Sequence, residues 1–137
     1  VNHEITHTPE TVRHFSVQLS STLRGARLAR LLAVEQLRSW EIPLEAPAQI
    51  VAELAANAVT HGNVRGRDFL LSMRATTDTL RIEATDTRRD REPVVSVPGA
   101  EDEGGRGLLL VSALSDDWGV ERGPVPRKTV WAELALR

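Results

Sequence analysis

"ELAANAVTHG", residues 53–62, is the stretch on which the reading of this chain turns. Glu53, Asn57 and His61 stand four residues apart in an otherwise apolar, alanine-rich segment. Four residues is a little over one helical turn, so on a helix the three side chains form one row. Extended over residues 46–61, the helix gathers Ile50, Val51, Leu54, Ala55, Ala58 and Val59 on a broad apolar face. The polar row runs along the edge of that face, and Gly62 supplies a stop. Asparagine is a poor helix former compared with alanine, so Asn57 between Ala56 and Ala58 needs a reason. Two readings are open: the row is the wet edge of an amphipathic helix, or it is a site. As a site, the Asn57 amide oxygen suits a hard cation such as Mg²⁺, which prefers oxygen and keeps several waters. Glu53, one turn earlier, is placed to accept a proton from an attacking hydroxyl or water.

Outward from this helix the pattern changes period. Before it, Phe15, Val17 and Leu19 alternate with polar residues as in a half-buried strand. Residues 20–40 then read as a helix with Ser20 to Thr22 as candidate caps. Arg24, Arg27, Glu35 and Arg38 fall on one side of it, and Leu28, Leu32, Ala29, Ala33 and Leu37 spread over the rest. After the central helix, residues 67–86 give two strands joined by a turn near Thr77 and Asp78. Residues 87–107 are polar and rich in glycine and proline, too long for an ordinary connector, which suggests a functional loop. A short apolar helix over 107–117 and two strands across the Gly123-Pro124 turn complete the chain. The order β, α, α, β, β, loop, α, β, β predicts an α+β fold. It is a two-layer sandwich, with a mixed, mostly antiparallel sheet and helices on one face. A doubly wound sheet would need βαβ alternation, which is missing.

The 137 residues suit one domain over 12–137, preceded by a polar arm over 1–11 that is mobile or pairs only with a partner. Apolar residues make up 41% and charged residues 26%, as in soluble globular proteins. A formal net charge of −2 argues against direct nucleic-acid binding, which needs a concentrated positive field. The absence of cysteine excludes disulfides, zinc–thiolate sites and cysteine nucleophiles. No apolar run approaches the roughly 20 residues that span a bilayer, and no secretory signal is visible, so the expectation is a cytoplasmic protein without membrane association. Of 17 basic residues only Lys128 is a lysine.

Two further features carry chemistry. In "EDEGGRGLLL", residues 101–110, three glycines precede an apolar helix. Glycines let backbone N–H groups approach a ligand, and a helix start carries partial positive charge. Arg106 between two of the glycines could bond phosphate oxygens. A flexible loop ending at a helix start gives the same sequence. No Walker A loop occurs. The other feature is Asp86, which strand alternation sets on the same face as Leu80, Ile82 and Ala84. Burial of an unpaired charge is costly, so a carboxylate there wants a donor such as the exocyclic amine of a nucleobase. Alternatively the strand ends at Thr85 and Asp86 opens a turn.

Taken in order, these segments resemble the Bergerat-type nucleotide fold of the gyrase, histidine-kinase and MutL ATPases, the GHKL superfamily. The closer resemblance is to anti-sigma-factor serine/threonine kinases of the RsbW and SpoIIAB type, over about residues 12–136. "ELAANAVTHG" is similar to the family's N box, "IEATD" sits where the first glycine box begins, "GGRGLLLV" resembles the second glycine box, and "KTVWAEL" resembles the closing strand. The resemblance implies ATP and Mg²⁺ as cofactors. It makes Glu53 the general base and Asn57 the Mg²⁺ ligand between triphosphate oxygens. It sets Asp86 on the adenine amine. Gly105, Arg106, Gly107 and Leu108 become the lid and helix start over the phosphates, and Thr129 lies near adenine. One stretch departs from the family: the first glycine box usually continues D-x-G-x-G, whereas here "DTRRDREP" has Arg88 and Asp90 at the glycine positions. Those arginines could contact phosphate or a partner instead. Pro93 suits the family's loop.

The implied function is a kinase and anti-sigma factor. Such a protein holds a sigma factor in one state and phosphorylates an anti-anti-sigma partner of the STAS type in another, and a homodimer is possible. The altered glycine box favours a second reading, a partner-capture module of the same fold with weak or merely structural nucleotide binding. A third reading is a catalytic domain serving a different switch. A true histidine kinase is the less expected variant, since no phosphoacceptor histidine helix or sensor domain is read in these residues, and His61 reads as a residue that packs or bonds at the helix end.

Overall fold

Alternation along the strands and a 3.6-residue period along the helices build two layers in the computed structural model. It describes residues 11–61, 67–86, 102–123 and 128–136. The described elements are β1 (Arg13–Ser20), α1 (Leu23–Ser39), α2 (Glu45–His61), β2 (Asp68–Ala75), β3 (Thr79–Asp86), α3 (Asp102–Leu114), β4 (Asp117–Arg122) and β5 (Lys128–Ala135). This is the order the sequence predicts, and the class is α+β. The sheet runs β1-β2-β3-β5-β4, and every described ladder is antiparallel. A sheet mixed in direction, the wider expectation, narrows to a purely antiparallel one.

Every second residue of β2 and β3 is apolar and buried: Phe69, Leu71 and Met73 on one, Leu80, Ile82 and Ala84 on the other. Period two puts them all on one face, and the helices cover that face. From α2 the layer is met by Ile50, Val51 and Leu54, all fully buried. Central α2 packs on α1, α3, β3 and β5.

Helix α1 begins where the sequence sets a cap. Thr22 is the N-cap, and its Oγ1 accepts the Gly25 N–H at 3.0 Å. Its buried stripe is Gly25, Ala29, Ala33 and Leu37. Two of the leucines set opposite the charged side behave otherwise: Leu28 and Leu32 are 40% and 38% exposed. Small residues on the inner stripe let α1 approach its neighbours closely, which leaves the larger leucines on the outer surface.

The same helix ends in a Schellman arrangement. The Glu41 N–H donates to the Arg38 carbonyl and the Ile42 N–H to the Leu37 carbonyl, both at 3.0 Å. Glu41 takes φ 60°, the left-handed conformation in which glycine is usual.

Two boundaries differ from the sequence reading. Strand β3 continues through Asp86, so the turn reading of that residue is wrong: register partners on both sides hold it in the sheet. Helix α3 starts at Asp102, not at Gly107, so Gly104, Gly105, Arg106 and Gly107 lie within its first turns. Residues 1–10 of the arm, Gly62, Pro124 and the "TRRDREP" run that follows Asp86 lie outside the described residues.

Candidate functional site

Row spacing on α2 produces the acid end of the site. Gln49, Glu53 and Asn57 follow one another at four-residue intervals, and the Gln49 Nε2 donates to Glu53 Oε2 at 2.9 Å. That bond takes up one carboxylate oxygen and fixes the side chain. The other oxygen faces α3: a Cβ built on Gly107 would stand 3.0 Å from Glu53 Oε1. Gly107 itself is buried. The missing side chain at 107 therefore keeps the Oε1 lone pairs open, where a larger residue would crowd them. Asn57, one turn further along α2, is half-buried. His61 closes α2 as a helical residue, and its side chain lies outside the described part.

Strand parity produces the second end. Asp86 terminates β3 on the helix-covered face and is 4% exposed. Its register partners are Phe69 of β2 and Lys128 of β5. The Lys128 Nζ lies 3.9 Å from Asp86 Oδ2, and the side chains retain 10% and 5% of their surface. A carboxylate and an ammonium removed from water together compensate each other's desolvation, which neither could bear alone.

The residues proposed from sequence thus fall into three sets. Glu53 and Gly107 meet across the α2–α3 contact, with Asn57 on the same row. Leu108 is half-buried and packs against the core beside them. Gly105 and Arg106 belong to the first turns of α3, not to a loop ahead of it, and the Arg106 side chain lies outside the described part. Thr129 is not brought to Asp86. It stands opposite Thr85 in the ladder, on the face without helices, and the two hydroxyl oxygens are 2.8 Å apart.

Sequence reasoning missed Lys128 and Gln49. Both had a signal. Lys128 precedes Val130 by two residues and so shares its face, and Gln49 precedes Glu53 by one turn.

The residues present fit a Mg²⁺–nucleotide in two respects. The glycine at 107 leaves space beside a carboxylate, and a buried acid ends a central strand. Among the described residues no group of three or more His, Cys, Asp or Glu could hold a metal alone. A donor set of one amide suits Mg²⁺ only when phosphate oxygens and waters complete its octahedron. A separate cavity of about 320 Å³ lies at the far end of the sheet, lined in part by Arg13, Trp40, Glu41 and Thr76, and no candidate residue borders it.

The helix-free face carries a charge network of its own. Arg81 donates to Glu83 and Glu133 at 2.6 and 2.8 Å, and its guanidinium carbon lies 4.3 Å from the Trp131 ring centre. Burial alone would lower the Arg81 pKa, but the bonds to Glu83 and Glu133 and their charges outweigh it and raise it above the ordinary value. No helix among the described residues is long and apolar enough to cross a membrane.

The family model for the histidine kinase-like ATPase domain matches residues 19–133. No curated protein matches the chain. Among solved structures, the fold is similar to that of the RsbU and RsbW domains of Rv1364c from Mycobacterium tuberculosis. The TM-score is 0.69 at 17% identity, over 90% of this chain and 32% of that one. This chain thus spans about a third of that structure's length.

Proposed function

The chain belongs to the histidine kinase-like ATPase domain family, and from that premise we propose that it is an ATP-binding anti-sigma regulator with serine/threonine kinase activity. Its partners are a sigma factor, which it holds, and an anti-anti-sigma protein of the STAS type, whose hydroxyl it phosphorylates. The observation that carries this reading is the approach of Gly107 to Glu53 Oε1. A carboxylate with one oxygen fixed by Gln49 and the other kept open by a glycine is placed to take a proton from an incoming hydroxyl. In this reading Asn57 holds Mg²⁺ through its amide oxygen, and Asp86 accepts the adenine amine. Bound Mg-ATP supplies the transferable γ-phosphoryl group and the charge neutralisation that its transfer needs. The chain's own part is positioning: Gln49 orients Glu53, and Gly105, Arg106, Gly107 and Leu108 belong to the first turns of the helix that faces the phosphates.

The test is transfer of labelled γ-phosphate to the partner, run beside calorimetric titration with Mg-ATP. Glu53→Ala abolishes transfer while ATP still binds, and Asn57→Ala loses ATP binding. Transfer that survives Glu53→Ala refutes the general base. Partner capture that is indifferent to Mg-ATP, with no transfer, makes the chain a capture module instead.

A further inference from the structure

We propose that the cavity at the far end of the sheet binds an apolar α-amino acid, with Arg13 receiving its carboxylate and Glu41 its ammonium. The inference goes beyond the nucleotide reading, whose residues do not line this cavity.

The starting point is a glutamate held in a conformation that suits glycine. Glu41 takes φ 60°, and the Schellman bonds that require this turn use only backbone groups. Glycine would hold the same turn at less cost. The side chain does not offset that cost with a contact: the Glu41 carboxylate takes no hydrogen bond and no ion pair among the described residues. A strained position that carries an unused charged group into a cavity points to a ligand.

The opposite charge stands beside it. Arg13 Nη1 donates to the Trp40 carbonyl at 2.8 Å, and that carbonyl belongs to the peptide that leads into Glu41. One edge of the guanidinium is thereby fixed, and its other N–H groups have no partner among the described residues. Both charged residues are exposed, and both line the cavity of about 320 Å³. Its apolar lining includes buried Ile42 and Ala75 and half-buried Trp40 and Leu136. Ligand pockets run from roughly 300 to 1,000 Å³, so this one suits a small molecule. A free α-amino acid carries an ammonium, a carboxylate and its side chain on one carbon, and an apolar side chain then meets the apolar lining. The carboxylate of Glu41 only accepts and the guanidinium of Arg13 only donates, which matches the two ends of the zwitterion. A ligand with one charge leaves one of these groups without its counterpart and meets the other as a like charge.

The test is titration calorimetry of the full chain with L-phenylalanine, beside phenylpropionate, which lacks the ammonium, and phenethylamine, which lacks the carboxylate. Wild type saturates with phenylalanine at a Kd of about 1 mM or tighter and binds each of the other two about 10-fold or more weakly, the size of one hydrogen bond to a charged group. Glu41→Gly, which relieves the backbone and so folds at least as stably as wild type, binds phenylalanine no better than phenylpropionate. Glu41→Gln keeps the length of the side chain and gives the same loss, so the charge and not the glycine accounts for it. Arg13→Gln erases the difference between phenylalanine and phenethylamine, and circular dichroism verifies that it folds. No saturation of wild type by about 10 mM phenylalanine overturns the proposal. So does equal binding of phenylalanine and phenylpropionate, or a ratio that Glu41→Gln leaves unchanged. Each of these outcomes leaves the ATP reading standing.

Discussion

Replacing Gly25 by alanine is expected to destabilise the protein by about 3 kcal/mol, although alanine is the better helix former. A Cβ at residue 25 would stand 1.9 Å from the Ser20 carbonyl oxygen and 2.9 Å from its carbon. Ordinary contact begins near 3.4 Å, so the two backbones must separate by about 1.5 Å, the difference of 3.4 and 1.9. The carbonyl cannot swing aside cheaply, because it accepts the Thr22 N–H at 2.8 Å. Thr22 in turn bonds Ser20 Oγ at 2.8 Å and caps the Gly25 N–H at 3.0 Å. Overpacking costs about 3 kcal/mol where backbone must move, and losing the cap adds about 1. The propensity gain of alanine over glycine returns about 1. Urea denaturation measures the loss, and at roughly 4 °C per kcal/mol the melting temperature falls by about 12 °C. Arg24→Ala, one residue away and exposed, is the control and stays within about 0.5 kcal/mol of wild type. A Gly25→Ala protein as stable as wild type would show that α1 does not approach the end of β1 as described.

Two other substitutions test the fold and the site without any nucleotide. Glu41→Gly relieves the left-handed φ of 60° and raises stability by about 0.5–1 kcal/mol; a loss in denaturation midpoint would contradict the Schellman ending of α1. Asp86→Ala costs about 3 kcal/mol, because it leaves a buried ammonium without its carboxylate. Adding Lys128→Met to Asp86→Ala recovers about 1–2 kcal/mol of that loss. Losses that simply add in the double variant argue against coupling across the ladder.

Most of the fold was legible because its elements are long and clean in period. The stripe of Ile50, Val51, Leu54 and Ala58 admits only a helix, and alternation from Phe69 to Met73 and from Leu80 to Ala84 admits only strands. What failed were an end and a face. Glycines at 104, 105 and 107 signal a loop by propensity, yet α3 runs through them. Nothing in the composition of α1 tells that Ala29 and Ala33 take the buried stripe while Leu28 and Leu31 stay outside. Both orders are amphipathic in part, and the neighbour that requires small residues is distant in sequence.

The site divides along the same line. Row spacing on α2 is local, so Glu53 and Asn57 could be paired from sequence. Thr129 and Asp86 could not be joined, and parity already forbade it. Opposite residues of an antiparallel pair share a face, and Val130, Ala132 and Leu134 turn the even-numbered residues of β5 inward. Thr129 must then face outward and Lys128 inward. Parity leaves the register open, because a shift of two residues preserves every face. With Val130 opposite Asp86, the carboxylate would have met a methyl group; with Lys128 there, it meets a charge. The pairing of β3 with β5 is therefore what sets the buried acid against an opposite charge, and local sequence alone does not encode it.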